Sequence, residues 1–125
     1  MRAALSVGLA ALLLLVAGAG CGGSGGGASQ PPGSIKVDMT EFKFSPSSLS
    51  VKPGTATFYL VNSGSVSHDM VINSPSGSRV AASELVQPGN TSVFTVNNLT
   101  AGSYPFICDQ PGHEASGMKG TLSVG

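Results

Sequence analysis

The 125-residue chain predicts an all-β fold, a two-sheet antiparallel Greek-key β-sandwich. Three observations carry this. From residue 34 onward, short segments of alternating apolar and polar residues recur about every ten residues. The reversals between them are spelled by residues that favour turning, in "KPGT", "NSG", "SPSG", "QPGN" and "LTAG". No stretch of useful length between Ser34 and Gly125 carries helical periodicity.

The expected strands follow in order. "IKVDM" at 35–39 and "FKF" at 42–44 are the first two alternating pieces, and 48–51 is the third, ended by "KPGT". In "TATFYLV" at 55–61, Phe58 and Leu60 take one face. In "HDMVI" at 68–72, His68, Met70 and Ile72 share a face, and a short segment at 79–82 follows "SPSG". Phe94 and Val96 align within 92–96, and Tyr104, Phe106 and Cys108 align within 103–108. The segment 119–124 closes the chain. If the aromatic face of 103–108 is the core, Cys108 is a buried sulfur at the end of a rigid strand.

Composition bounds the function. The chain is 41% hydrophobic, 10% charged and formally neutral, enough for one small domain and without the basic surface that nucleic acid requires. Residues 1–21 read as an export signal: Arg2, an apolar run from Val7 to Val16, then "AGAGC". Small residues before Cys21 resemble a lipobox, so Cys21 is the expected site of lipidation. Residues 22–33, "GGSGGGASQPPG", are expected to form a flexible tether with a reach of about 20 Å. The domain is then 34–125, where five basic residues against six acidic ones leave a net charge of minus one. Its lone cysteine is Cys108, so no disulfide forms within it, and an exported thiol needs protection from oxidation.

"CDQPGHEASGM", residues 108–118, sets a cysteine, a histidine and a methionine at five-residue steps in a turn-rich stretch. The other histidine of the chain, His68, opens a distant expected strand. A free buried cysteine alone is a small hydrophobe, and a lone histidine is more often a surface residue. Their convergence at strand ends is what points to a metal. Two imidazoles, one thiolate and a weak thioether, here His68, His113, Cys108 and Met118, are the donor set of a blue copper site. Zinc is the rival, but structural zinc sites use four Cys or His ligands, and methionine serves zinc poorly. Met70, two residues from His68, is a competing thioether, although its place on the strand fits core packing.

The two segments "FKFSPSSLSVKPGTATFYLVNSGSVSHDMVI" and "AGSYPFICDQPGHEASGMKGTLSV" resemble the two halves of the cupredoxin family, the small type 1 copper proteins such as plastocyanin, azurin, auracyanin and rusticyanin. The four-residue gaps on each side of His113 match the auracyanin and rusticyanin branch. The resemblance implies one type 1 copper ion, with His68, Cys108 and His113 as strong ligands and Met118 as the axial one. In the family, Asn follows the first histidine and Ser or Thr follows the cysteine, tying the two ligand loops together. Here Asp69 and Asp109 hold those places: if they approach each other, a shared proton is the expected substitute for that tie, and the alternative is that both point to solvent.

The function so implied is a one-electron carrier, not an enzyme, since no spare histidine is present for a second metal cluster. The alternative is a copper-binding protein for extracytoplasmic storage or delivery, although such proteins tend to be richer in Met and His. The expected location is extracytoplasmic, membrane-anchored as a lipoprotein at the cell surface or in the periplasm. Redox donor and acceptor proteins are expected to dock on a monomer near His113, on a patch that includes Pro111, Gly112, Ala115, Gly117, Gly64 and Val66.

Overall fold

The computed structural model describes residues 27–125. The expected signal at 1–21, Cys21 and the first part of the 22–33 tether lie outside the described residues. Nine strands run β1 Ile35–Thr40, β2 Lys43–Ser45, β3 Ser48–Val51, β4 Gly54–Asn62, β5 Val71–Asn73, β6 Arg79–Ala82, β7 Thr91–Leu99, β8 Gly102–Ile107 and β9 Lys119–Val124. They form a four-stranded sheet in the order β2-β1-β4-β7 and a five-stranded sheet in the order β3-β9-β8-β5-β6. Just before β1, Pro31 to Ser34 make a turn in which the Ser34 hydroxyl donates to the Pro31 carbonyl at 2.6 Å. Upstream of it the Ala28 carbonyl accepts from the Thr91 hydroxyl at 3.2 Å.

The sandwich is all-β, but its sheets are mixed. β1 runs parallel to β4, and β3 runs parallel to β9, while the remaining neighbours are antiparallel as expected. Parallel neighbours need a long crossover, and both pairs have one: the chain visits the opposite sheet between their members. Alternation along a strand fixes which side chains face inward; it carries no information on the direction of the neighbour.

The core lies between the sheets and follows that alternation. Val37, Met39, Phe58, Leu60, Phe94 and Val96 meet Leu49, Ile72, Tyr104, Phe106 and Leu122 from the other side, all buried. The Phe44 and Phe106 rings join the sheets edge to face, with centroids 5.0 Å apart.

Two strands depart from the sequence reading. β7 continues to Leu99 because Asn98, at φ 58°, bulges the strand where its register with β4 shifts. β5 begins at Val71, so His68 is not a strand residue. Its backbone instead exchanges a pair of hydrogen bonds with Val86, at 3.1 and 2.8 Å. The next two amides are spent on side-chain acceptors: Asp69 N–H points at the Cys108 sulfur, and Met70 N–H at the Ser83 hydroxyl. Residues 68–72 are all buried, so alternation there carries no directional signal.

Candidate metal centre

Three connections meet at one end of the sandwich: the β1–β2 turn, the β4–β5 connection and the β8–β9 loop. The β8–β9 loop is closed on itself. Cys108 N–H donates to the Met118 carbonyl at 3.1 Å, and Met118 N–H donates to the His113 carbonyl at 3.1 Å. Gly112 and Gly117 sit at φ 79° and 104°, a left-handed backbone that side chains resist, and this lets eleven residues wrap tightly. The β4–β5 connection is pinned by Asn62, whose side chain is buried. Its amide donates to the carbonyls of Val66 and Val86, both at 2.8 Å, and its oxygen accepts Gly64 N–H at 2.9 Å.

His68, Cys108 and His113 are brought together as the sequence reading expects. Nδ1 of His68 lies 3.2 Å from Nδ1 of His113, and the Cys108 sulfur lies 3.4 Å from His113 Nδ1 and 3.9 Å from His68 Nδ1. The point equidistant from three atoms so spaced is about 2.0 Å from each, the length of a metal–imidazole bond. Two neutral imidazoles facing each other through Nδ1 share at most one proton, so a cation satisfies this triangle better than hydrogen bonds do. His68 and Cys108 are fully buried, and His113 is partly exposed. Met118 is fully buried, and its backbone is tied to both Cys108 and His113. Met70 is buried as well and belongs to the hydrophobic core.

Asp69 and Asp109 do approach each other, through a backbone group. Asp69 Oδ1 accepts Asp109 N–H at 2.9 Å, and Oδ2 accepts from the Gln110 side-chain amide at 3.3 Å. Asp109 turns its own carboxylate to Arg79, at 2.6 Å. Burial, then the neighbouring Asp109, raise the Asp69 carboxyl above the usual range. A hydrogen bond from Asp69, with the Arg79 guanidinium behind it, holds Asp109 below that range.

Burial also pushes the Cys108 thiol up to about 11, against the pull of the Asp69 and Gln110 backbone amides. Without metal the group is therefore protonated at neutral pH, and a bound ion has to displace that proton. Below a thiol's pKa, each unit of rising pH makes its thiolate about ten times more abundant. The apparent Cu(II) affinity should accordingly rise about tenfold per unit from about pH 7 to 9. A chelator competition at several pH values, corrected for the chelator's own protonation, checks this; a flat profile contradicts it.

Three residues at the site escaped the sequence reading. Asn62 is one, and its signal was available: it occupies the inward position after Ala56, Phe58 and Leu60, where a polar side chain is out of place unless it serves the backbone. Phe42 packs its ring edge to face on His113 at 4.9 Å while remaining 39% exposed. Glu41 lies against Nε2 of His68 at 3.1 Å. The pair Glu41 and Phe42 comes from a turn that carries no motif. Asn62→Ala removes three hydrogen bonds of a buried side chain, worth about 1 kcal/mol each, so it should cost about 3 kcal/mol in denaturant unfolding. A loss below about 1 kcal/mol contradicts that role.

Residues 7–124 match the family model of the cupredoxin-like domain. The chain belongs to the cupredoxin-like family. Solved structures agree with this cupredoxin's fold. Auracyanin from the photosynthetic bacterium Roseiflexus castenholzii is 22% identical with a TM-score of 0.67, over 77% of this chain and 99% of that one. Auracyanin A, a "blue" copper protein of Chloroflexus aurantiacus, is 22% identical with a TM-score of 0.67, over 80% and 100%. A reduced amicyanin variant is 22% identical with a TM-score of 0.58, over 77% and 86%. No curated protein sequence matches. The donor set of the cupredoxin, two imidazole nitrogens and a sulfur converging beside a buried methionine, fits one copper ion.

Proposed function

We propose that this cupredoxin is a one-electron carrier, in which His68, Cys108, His113 and Met118 would hold the copper. The observation that carries the reading is the donor triangle, with sides of 3.2, 3.4 and 3.9 Å, at the closed end of the sandwich. Copper bound there supplies a Cu(II)/Cu(I) couple, and a set of nitrogen, thiolate and thioether donors serves both oxidation states.

The protein's own part is to hold the donors still and dry. The His68–Val86 backbone pair and the Asn62 bonds fix the segment that carries His68, and the closed β8–β9 loop fixes Cys108, His113 and Met118. Fixed donors need little rearrangement when one electron is gained or lost. Asp69 N–H reaches the Cys108 sulfur at 3.5 Å and offers a hydrogen bond to the thiolate.

His113 is the partly exposed donor, and an electron enters or leaves through its ring. Around it Pro111, Gly112, Ala115, Gly117 and Val66 are exposed, and Phe42 adds an apolar ring to the same patch. Such a surface suits donor and acceptor proteins that dock with modest electrostatic steering. Held by a lipid on Cys21 and the 22–33 tether, the domain works as a monomer at the outer face of a bacterial membrane or in the periplasm.

A spectroelectrochemical titration of the copper-loaded protein tests the reading. Reversible one-electron behaviour at a positive potential is the expected result. Copper that is bound but never cycles reversibly would move the function to storage or delivery. A His113→Gly variant should open the copper to solvent and recover its spectrum with external imidazole. Unchanged colour and unchanged transfer rates without imidazole would contradict the role of His113.

A further inference from the structure

We infer that Glu41 is a positioning residue of this centre: its carboxylate fixes the tautomer of His68 and biases the site toward the more highly charged metal. The inference rests on the reading of His68 as a copper ligand. A single oxygen of Glu41, Oε1, accepts Ser65 N–H at 2.7 Å, Val66 N–H at 3.1 Å and the Nε2 side of His68 at 3.1 Å. The Glu41 side chain is 31% exposed, whereas the His68 ring is fully buried.

The chemistry follows from what each group can do. The two backbone N–H bonds onto Oε1, from Ser65 and Val66, favour the ionised carboxylate. An ionised carboxylate only accepts, so Nε2 of His68 carries the ring proton. A neutral imidazole has one such proton, and Nδ1 is left with its lone pair facing Cys108 and His113. The same carboxylate makes the ring a stronger donor, which favours Cu(II) over Cu(I).

The backbone is cut to fit this contact. A Cβ built on Gly64 would overlap the Glu41 carboxylate, so glycine there admits the acid beneath the 64–66 segment. The amides of residues 65 and 66 then tie the approach to His68 onto the β1–β2 turn.

Three variants test the inference. Glu41→Gln keeps an oxygen for the two backbone amides and removes the charge; Glu41→Ala removes both. Gly64→Ala keeps the acid and displaces it. In metal-free protein above the histidine titration range, nitrogen-15 spectra should show His68 protonated at Nε2 in the parent and lose that preference in Glu41→Ala. With copper, Glu41→Gln should bind Cu(II) about 10–100-fold more weakly with a smaller loss for Cu(I). Each tenfold difference between the two losses raises the midpoint potential by about 59 mV. Gly64→Ala should move the potential in the same direction. An unchanged His68 tautomer in Glu41→Ala overturns the inference, as does an unchanged potential in a blue, folded Glu41→Gln. A parent protein that is not blue defeats the copper reading instead, and the metal-free spectra then still decide the role of Glu41.

Discussion

A Cys108→Ser variant is expected to lose its visible charge-transfer band entirely and to bind Cu(II) about a hundredfold more weakly. The band requires a thiolate bonded to copper, and Cys108 is the one cysteine among the described residues. Structural zinc held by four protein ligands is worth about 10–16 kcal/mol, and on that scale one ligand in four is worth about 3 kcal/mol. Serine keeps the shape of the loop, since Cys108 N–H still reaches the Met118 carbonyl. The fold should therefore survive, and absorption together with a copper competition titration would isolate the ligand effect. A serine variant that keeps the band would remove Cys108 from the centre.

Phe106→Ala should be the most damaging single change to the fold, at about 3–5 kcal/mol. The ring is fully buried and packs edge to face on Phe44 of the other sheet. Gly120 faces it directly: a Cβ there would overlap both the ring and the Ser47 carbonyl, so β9 was left bare to admit Phe106. A domain of this size has a total stability of about 5–10 kcal/mol, and the loss would take up much of it. Cys108 lies two residues farther along the same face, so the cavity should also loosen the sulfur and broaden the copper spectrum. Denaturant midpoints of metal-free protein measure the first effect; a loss under about 1 kcal/mol would mean that the core is not organised around this ring.

Much of this was legible in the sequence because both signals are local. Alternation between turn residues located the strands, and it placed Tyr104 and Phe106 of β8, and Cys108 one residue past the strand's end, on the buried face. The β8–β9 loop carries three of the four expected ligands within eleven residues, so its chemistry could be read without a fold. The rest depends on partners far away in the chain. The parallel pairing of β1 with β4 and of β3 with β9 is set by neighbours that no strand encodes. Residues 68–72 are buried on every side, and that erased the alternation marking the true start of β5 at Val71. Glu41 meets His68 across 27 residues and belongs to a turn with no motif, so only the folded chain reveals it.

The central claim is that a copper–thiolate bond forms inside the triangle of His68, Cys108 and His113. The most direct measurement is the visible absorption spectrum of the purified protein after stoichiometric Cu(II), then after mild reduction and reoxidation. An intense thiolate-to-copper band that bleaches on reduction and returns on reoxidation is the predicted result. A protein that binds Cu(II) without that band, or whose colour does not return, would contradict it.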